Sequence, residues 1–164
     1  MANPFTDPLH RASDYATQRG ILLKQSLGYG KDGSVFGTDA ATAVKVFRST
    51  TCFDSELACY LRLRELDVRQ VIGHAVPRLV SFDDHLLAIE MTIVQPPYIL
   101  DFASSRLDFP PDFSDEILAQ WESDRREEFG PHWPHVRLLV HLFAENFGIY
   151  LLDVHPRNSS FPSP

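Results

Sequence analysis

From about residue 16 to residue 95, apolar residues come in short runs broken by glycine, aspartate and proline. The stretches "GILLKQSLGYG", "SVFG" and "ATAVKVF" are rich in Val, Leu and Phe around glycines, a pattern of short strands joined by tight turns. They predict an antiparallel sheet. "TTCFDSELACYLRLREL" breaks that pattern, because Phe53, Leu57, Tyr60 and Leu61 recur at helical spacing. One helix is expected over about 53–66, capped by Thr51 with Asp54 three residues on. "VPRLVSF" and "HLLAIEMTIV" then read as two strands joined at Asp83 and Asp84, and the sheet ends at the pair Pro96-Pro97.

The second half has a different period. "QPPYILDFASSRLDFPPDF" carries two Pro-Pro pairs and reads as a connector laid over a surface. Ser114, followed by Asp115 and Glu116, opens a charged helix that runs to about Phe129 and stops at Gly130. Pro134 suits a first helical turn, and Val136, Leu139, Val140, Phe143 and Phe147 keep one apolar face until Gly148. Residues 1–15, with two prolines and no sustained period, are expected to form a loose extension.

Composition narrows the function classes. A chain of 164 residues with 44% apolar residues is long enough to bury roughly 70% of its unfolded surface. The formal charge of -7 argues against broad attraction to nucleic acid or an anionic membrane. No apolar run approaches the ~20 residues of a membrane span and no early stretch resembles a signal peptide, so a cytoplasmic protein is expected. Cys52 and Cys59 read as free thiols rather than a disulfide or a zinc site. Nor do His132, His135 and His141 form an i, i+4 pair, so surface or capping roles are expected for them rather than metal binding.

The candidate chemistry starts in "GYGKDGSV", where Gly28, Gly30 and Gly33 are spaced G-x-G-x-x-G. Such spacing lets a backbone fold closely over a polyphosphate and present its N–H groups. Strand-like flanks on both sides select a hairpin over a strand-to-helix dinucleotide loop. An ordinary glycine-rich turn has the same pattern. Twelve residues later, Lys45 lies inside the apolar run "AVKVF", where an ammonium must face solvent or meet a partner that offsets its desolvation. Glu56, on the expected helix, is such a partner if it is not simply solvated.

Taken in order, "LGYGKDGSVF", "AVKVF", Glu56, "AIEMTIV" and "DVHPRN" resemble the glycine loop, strand lysine, helix glutamate, hinge and catalytic loop of the protein-kinase-like superfamily, over about 20–158. The last motif is similar to the D-x-H-P-x-N form of aminoglycoside and choline kinase relatives. The resemblance implies an α+β, protein-kinase-like two-lobed fold, with an N-lobe over 16–95 and a shortened helical C-lobe over 96–164. It also implies ATP as ligand, held by Gly28, Gly30, Gly33, Val35 and Lys45. The backbone of Glu90, Met91 and Thr92 would meet adenine, with Ile89 in the gatekeeper place. Glu56 would position Lys45, Asp153 would take the proton of the acceptor hydroxyl, and Asn158 would ligate Mg²⁺.

Three departures bear on activity. Leu151 and Leu152 replace the His-Arg or His-Gly that usually precedes the catalytic aspartate. Arg157 stands where small-molecule kinases often carry glycine. Only "SSFPSP" follows Asn158, so an abbreviated C-lobe without an Asp-Phe-Gly metal loop is expected. Asp101, delivered by the apolar run "YIL", is a candidate replacement metal ligand, with a capping role or a ribose contact as the alternatives, and Asp108-Phe109 and Asp112-Phe113 are also Asp-Phe pairs. Two functions remain open: a Mg-ATP-dependent phosphotransferase acting on an unidentified hydroxyl, of a serine, a threonine or a small molecule, and a pseudokinase that serves as a nucleotide-binding module with a protein partner at the shortened C-lobe.

Overall fold

The computed structural model describes residues 7–95, 98, 99, 102, 104–157, 159 and 160, of which 98, 99, 159 and 160 are described for their backbone alone. In chain order the elements are α1 (Pro8–Arg19), β1 (Leu23–Tyr29), β2 (Gly33–Thr38), β3 (Thr42–Phe47), α2 (Thr50–Glu65), β4 (Gln70–Val71), β5 (His74–Ala75), β6 (Leu79–Asp83), β7 (Ala88–Thr92), β8 (Tyr98–Ile99) and β9 (Arg106–Leu107). They are followed by α3 (Asp115–Phe129), a 3₁₀ turn (Gly130–His132), α4 (Trp133–Phe147), β10 (Ile149–Tyr150) and β11 (Ser159–Ser160). The fold is α+β as expected, with an antiparallel sheet and two helices in the N-terminal part and a mainly helical C-terminal part. The main sheet has the order β1-β2-β3-β7-β6, and every neighbouring pair in it is antiparallel.

All six residues of β3 are buried, because both faces of the sheet are covered. Strand alternation sends Ala43 and Phe47 into the larger core with Phe53, Leu57 and Tyr60 of α2, and sends Val44 and Val46 to a second core with Ala12 and Tyr15 of α1. Lys45 follows the parity of Ala43 and Phe47 and so points to the α2 side.

Helix α1 corrects the expectation of a loose extension over 1–15 for its described part, residues 8–15. Its sequence, "PLHRASDYATQR", has few apolar positions, and its start depends on Asp7, whose carboxylate accepts from Leu9 N–H at 2.9 Å. Polar contacts then fasten it down. Arg11 donates to the carbonyls of Leu86 and Phe47 at 2.9 and 2.8 Å, and Tyr15 and Arg19 both reach Glu90 at 3.0 Å. These partners lie 36 to 75 residues away, beyond any local pattern.

Helix α2 begins earlier than expected, and Ser49 rather than Thr51 caps it by accepting from Cys52 N–H. Helices α3 and α4 follow the expected boundaries, with Ser114 capping α3 and Gly148 closing α4 in the left-handed region at φ 66°. A side chain at Gly148 would crowd Asp108, since a Cβ there would lie 2.7 Å from its Oδ1. Asp108 in turn takes two hydrogen bonds from Arg62, at 3.0 and 2.9 Å, and that pairing holds its carboxyl below the usual range. The contact ties α2 to the connector and, through Arg62 and the Phe147 carbonyl at 2.8 Å, to the end of α4. No helix among the described residues is long and apolar enough to cross a membrane.

Candidate functional site

The three loop glycines do different work. Strands β1 and β2 form the expected hairpin, with Gly28 opposite Val35 and Tyr29 opposite Ser34, and Gly30 N–H donates to the Gly33 carbonyl at 2.9 Å to close the turn. Gly33 is required by packing, since a Cβ there would overlap the Val46 carbonyl oxygen. Gly28 and Gly30 face open space, so the chain's own packing does not explain them. The turn is also anchored to α2: the Asp32 carbonyl accepts from Arg48 N–H at 2.9 Å, and the Asp32 carboxylate accepts from Cys52 Sγ at 3.6 Å.

Beneath the hairpin, Lys45 Nζ and Glu56 Oε2 are 2.7 Å apart, and their side chains keep 10% and 3% of their exposure. The ammonium also sits 4.9 Å from the centre of the Phe47 ring, on the side favoured by the ring quadrupole. Taking both charges out of water costs several kcal/mol per ion before their attraction is counted. The geometry therefore fixes the lysine head in place at a price in stability. Val35, Lys45 and Ile89 are successive cross-strand partners and share the α2-facing side of the sheet. Cys52 and Cys59 on α2 are free thiols, and burial, followed by the nearby Glu56 charge, pushes the Cys59 thiol up to about 12.

The backbone of Glu90, Met91 and Thr92, expected to meet adenine, is engaged in the sheet. They belong to β7, an interior strand with β3 on one side and β6 on the other. Glu90 lies opposite both Val44 and Ser81, and Met91 opposite both Ala43 and Leu79. Thr92 exchanges bonds with Arg78, its N–H donating to the Arg78 carbonyl and its hydroxyl accepting from Arg78 N–H, each at 2.9 Å. The Glu90 side chain points to the α1 face, where Tyr15, Arg19 and Thr42 all donate to it. The first backbone beyond the strand is 93–95.

Asp153 lies just past β10, which pairs with β9 of the connector. Its flanking carbonyls are held from α3: Trp121 Nε1 donates to the Leu152 carbonyl at 3.2 Å and Arg125 Nη1 to the Val154 carbonyl at 2.9 Å. Leu151 and Val154 are buried, and His155 Nδ1 accepts from Arg157 N–H at 3.1 Å. Trp121 and Trp133 pack edge to face with centroids 6.1 Å apart. Trp121 and Arg125 were not legible as loop supports, since nothing local distinguishes them on a charged helix. The expected metal ligands Asp101 and Asn158 lie outside the described residues. His135 is exposed, as expected of a surface residue, and it also meets His74, with the two Nε2 atoms 2.9 Å apart.

No family model and no curated protein matches the chain. Among solved structures it is similar to a streptomycin–ATP–APH(2'')-IIa ternary complex, at 20% identity and a TM-score of 0.39, over 58% of this chain and 30% of that one. It is also similar to ADP-bound aminoglycoside phosphotransferase APH(2'')-Ib, at 20% identity and a TM-score of 0.43, over 54% of this chain and 29% of that one. The chain thus spans less than a third of the length of each of these two proteins. Similarity at this level transfers neither their ligands nor their activity.

Proposed function

We propose that the chain is a protein-kinase-like phosphotransferase that binds Mg-ATP under the glycine hairpin and passes the γ-phosphate to a hydroxyl acceptor. The observation that carries this reading is the buried Lys45–Glu56 pair, 2.7 Å long, on the same sheet face as Val35 and below a turn whose Gly28 and Gly30 have open space beside them. A buried Lys–Glu pair that served only stability would be matched or bettered by apolar residues of similar volume at both positions.

The described residues fit a nucleotide. Amide N–H groups at the tip of the turn, beyond that of Gly30, which bonds the Gly33 carbonyl, would approach its phosphates, and Lys45, held by Glu56, would grip them as a fixed positive charge. Val35 would face the base with the buried Ile89 behind it, and the base's backbone contacts would fall to 93–95 in place of Glu90, Met91 and Thr92. Asp153 would take the proton from the acceptor hydroxyl as the new oxygen–phosphorus bond forms and the bond to the ADP oxygen breaks. Trp121 and Arg125 would keep that carboxylate in place by restraining the peptide units around it. Mg²⁺, with Asn158 and Asp101 as its expected ligands, would supply charge neutralisation at the phosphates.

The test is thermal unfolding of the full chain with ATP, with and without Mg²⁺, for the wild type and Lys45→Ala. ATP at about 100 times its dissociation constant adds about 2.7 kcal/mol, which raises the midpoint of a chain this size by about 5 to 10 °C. A Mg²⁺-dependent rise that disappears in Lys45→Ala is the expected result. No rise in the wild type would refute the nucleotide site.

A further inference from the structure

The histidine pair is unused by the proposed reaction and joins two parts of the chain that local sequence leaves unrelated. His74 lies in β5, the short strand between β4 and β8, and is 1% exposed. His135 lies in the first turn of α4 with its ring exposed. Their Nε2 atoms face each other at 2.9 Å across a separation of 61 residues, with ring centroids 5.0 Å apart and planes tilted by 36°. Two imidazole nitrogens this close cannot both carry a proton along the line between them, so at least one presents a lone pair.

Converging imidazole nitrogens are the donor set preferred by borderline divalent transition metals. Two imidazoles on one tetrahedral Zn²⁺, with bonds of about 2.0–2.1 Å, have nitrogens roughly 3.3 Å apart. Reaching that from 2.9 Å needs a shift of under half an ångström. His74 is held by its pairing with Val71 and, through its neighbour Ala75, by the pairing of β5 with β8, whereas His135 stands on an exposed helical turn and can supply the movement. The same exposure gives an ion access from solvent and leaves its other positions to water. Among the described residues no set of three His, Cys, Asp or Glu side chains forms a metal cluster, so the pair is a two-ligand site of modest affinity.

We propose that His74 and His135 form a two-imidazole site for a borderline divalent cation of the Zn²⁺, Ni²⁺ or Cu²⁺ class, which would clamp β5 to α4. The proposal does not depend on the nucleotide reading. It is tested by titrating the chelator-treated full chain, free of any histidine tag, with Zn²⁺, for the wild type and His135→Ala. Because His135 is exposed, the variant should fold. At ten times its dissociation constant, Zn²⁺ should raise the wild-type midpoint by about 3 to 6 °C and leave that of His135→Ala unchanged. A second measurement, the Cu²⁺ electron paramagnetic resonance spectrum, should show hyperfine splitting from two nitrogens in the wild type and lose one of them in His135→Ala. An equal Zn²⁺ shift in both proteins, or no shift together with a Cu²⁺ spectrum the substitution does not alter, would overturn the proposal.

Discussion

The two faces of the central sheet each bury one charge from neighbouring strands and use it differently. On the α1 side, Glu90 of β7 accepts from the Tyr15 hydroxyl, Arg19 Nε and the Thr42 hydroxyl at 3.0, 3.0 and 2.8 Å. On the α2 side, Lys45 of β3 meets Glu56 at 2.7 Å beneath the glycine hairpin. Glu90 gathers three donors that bind a helix of low apolar content to the sheet, so its chemistry is spent on structure. Lys45 is held by a carboxylate on the helix that also anchors the hairpin, so its charge is fixed between the sheet and α2. Burial alone therefore does not mark a functional group, and what the partners are attached to is more informative.

The largest effect should come from breaking the α2 side. Lys45→Ala leaves Glu56 buried without its ammonium partner and should cost about 3–5 kcal/mol in urea unfolding, besides abolishing the ATP shift. The double variant Lys45→Met/Glu56→Leu sharpens the contrast, because removing both charges should restore most of the stability and none of the ATP binding. If the double variant still bound ATP, the functional reading of this face would fail.

Gly33→Ala should come next, at about 1–3 kcal/mol, since the added methyl overlaps the Val46 carbonyl. Gly30→Ala has open space for its methyl and should leave the stability of the free protein nearly unchanged while weakening ATP affinity. Chemical unfolding together with ATP titration separates the two glycines.

On the α1 side, Tyr15→Phe removes one hydrogen bond to Glu90 and should cost about 1 kcal/mol, raising amide exchange in α1 with no change in the ATP shift. Tyr15 also sets an alkaline limit. Burial, with the Glu90 charge adding to it, pushes its phenol up to about 12 from an ordinary value of 10.0. The folded state therefore favours the neutral phenol, and this contribution, complete below pH 10, is lost as pH rises toward 12. Cys59, raised from 9.0 to about 12 by burial, adds a loss that begins nearer pH 9. Stability measured from pH 8 to 11 should fall, and fall less steeply in Tyr15→Phe.

The smallest effect on stability should come from Arg125→Lys, which keeps the charge but not the planar guanidinium that meets the Val154 carbonyl at 2.9 Å. Under the phosphotransferase reading it should lower kcat more than it changes ATP affinity, as measured by ATP turnover and ATP titration on the same variant.

Much of this protein was determined by local sequence. Short apolar runs around glycine specify β1, β2 and β3, helical spacing specifies α2 and α4, and Ser114 and Gly148 bound their helices because capping and left-handed turns depend on the residue at the position itself. The candidates Gly28, Gly33, Lys45 and Glu56 were legible for the same reason: a lysine within an apolar strand and glycines at fixed spacing are conflicts visible without coordinates. Tertiary structure alone decided the rest. Helix α1 has too few apolar positions to announce itself and depends on Glu90 and the Phe47 and Leu86 carbonyls, up to 75 residues away. The backbone of Glu90, Met91 and Thr92 is closed to a ligand because β6 pairs along the outer edge of β7, a matter of strand order. Trp121, Arg125 and the His74–His135 contact arise only when helices from the second half dock, since hydrogen-bond partners brought together by docking leave no periodicity in the chain.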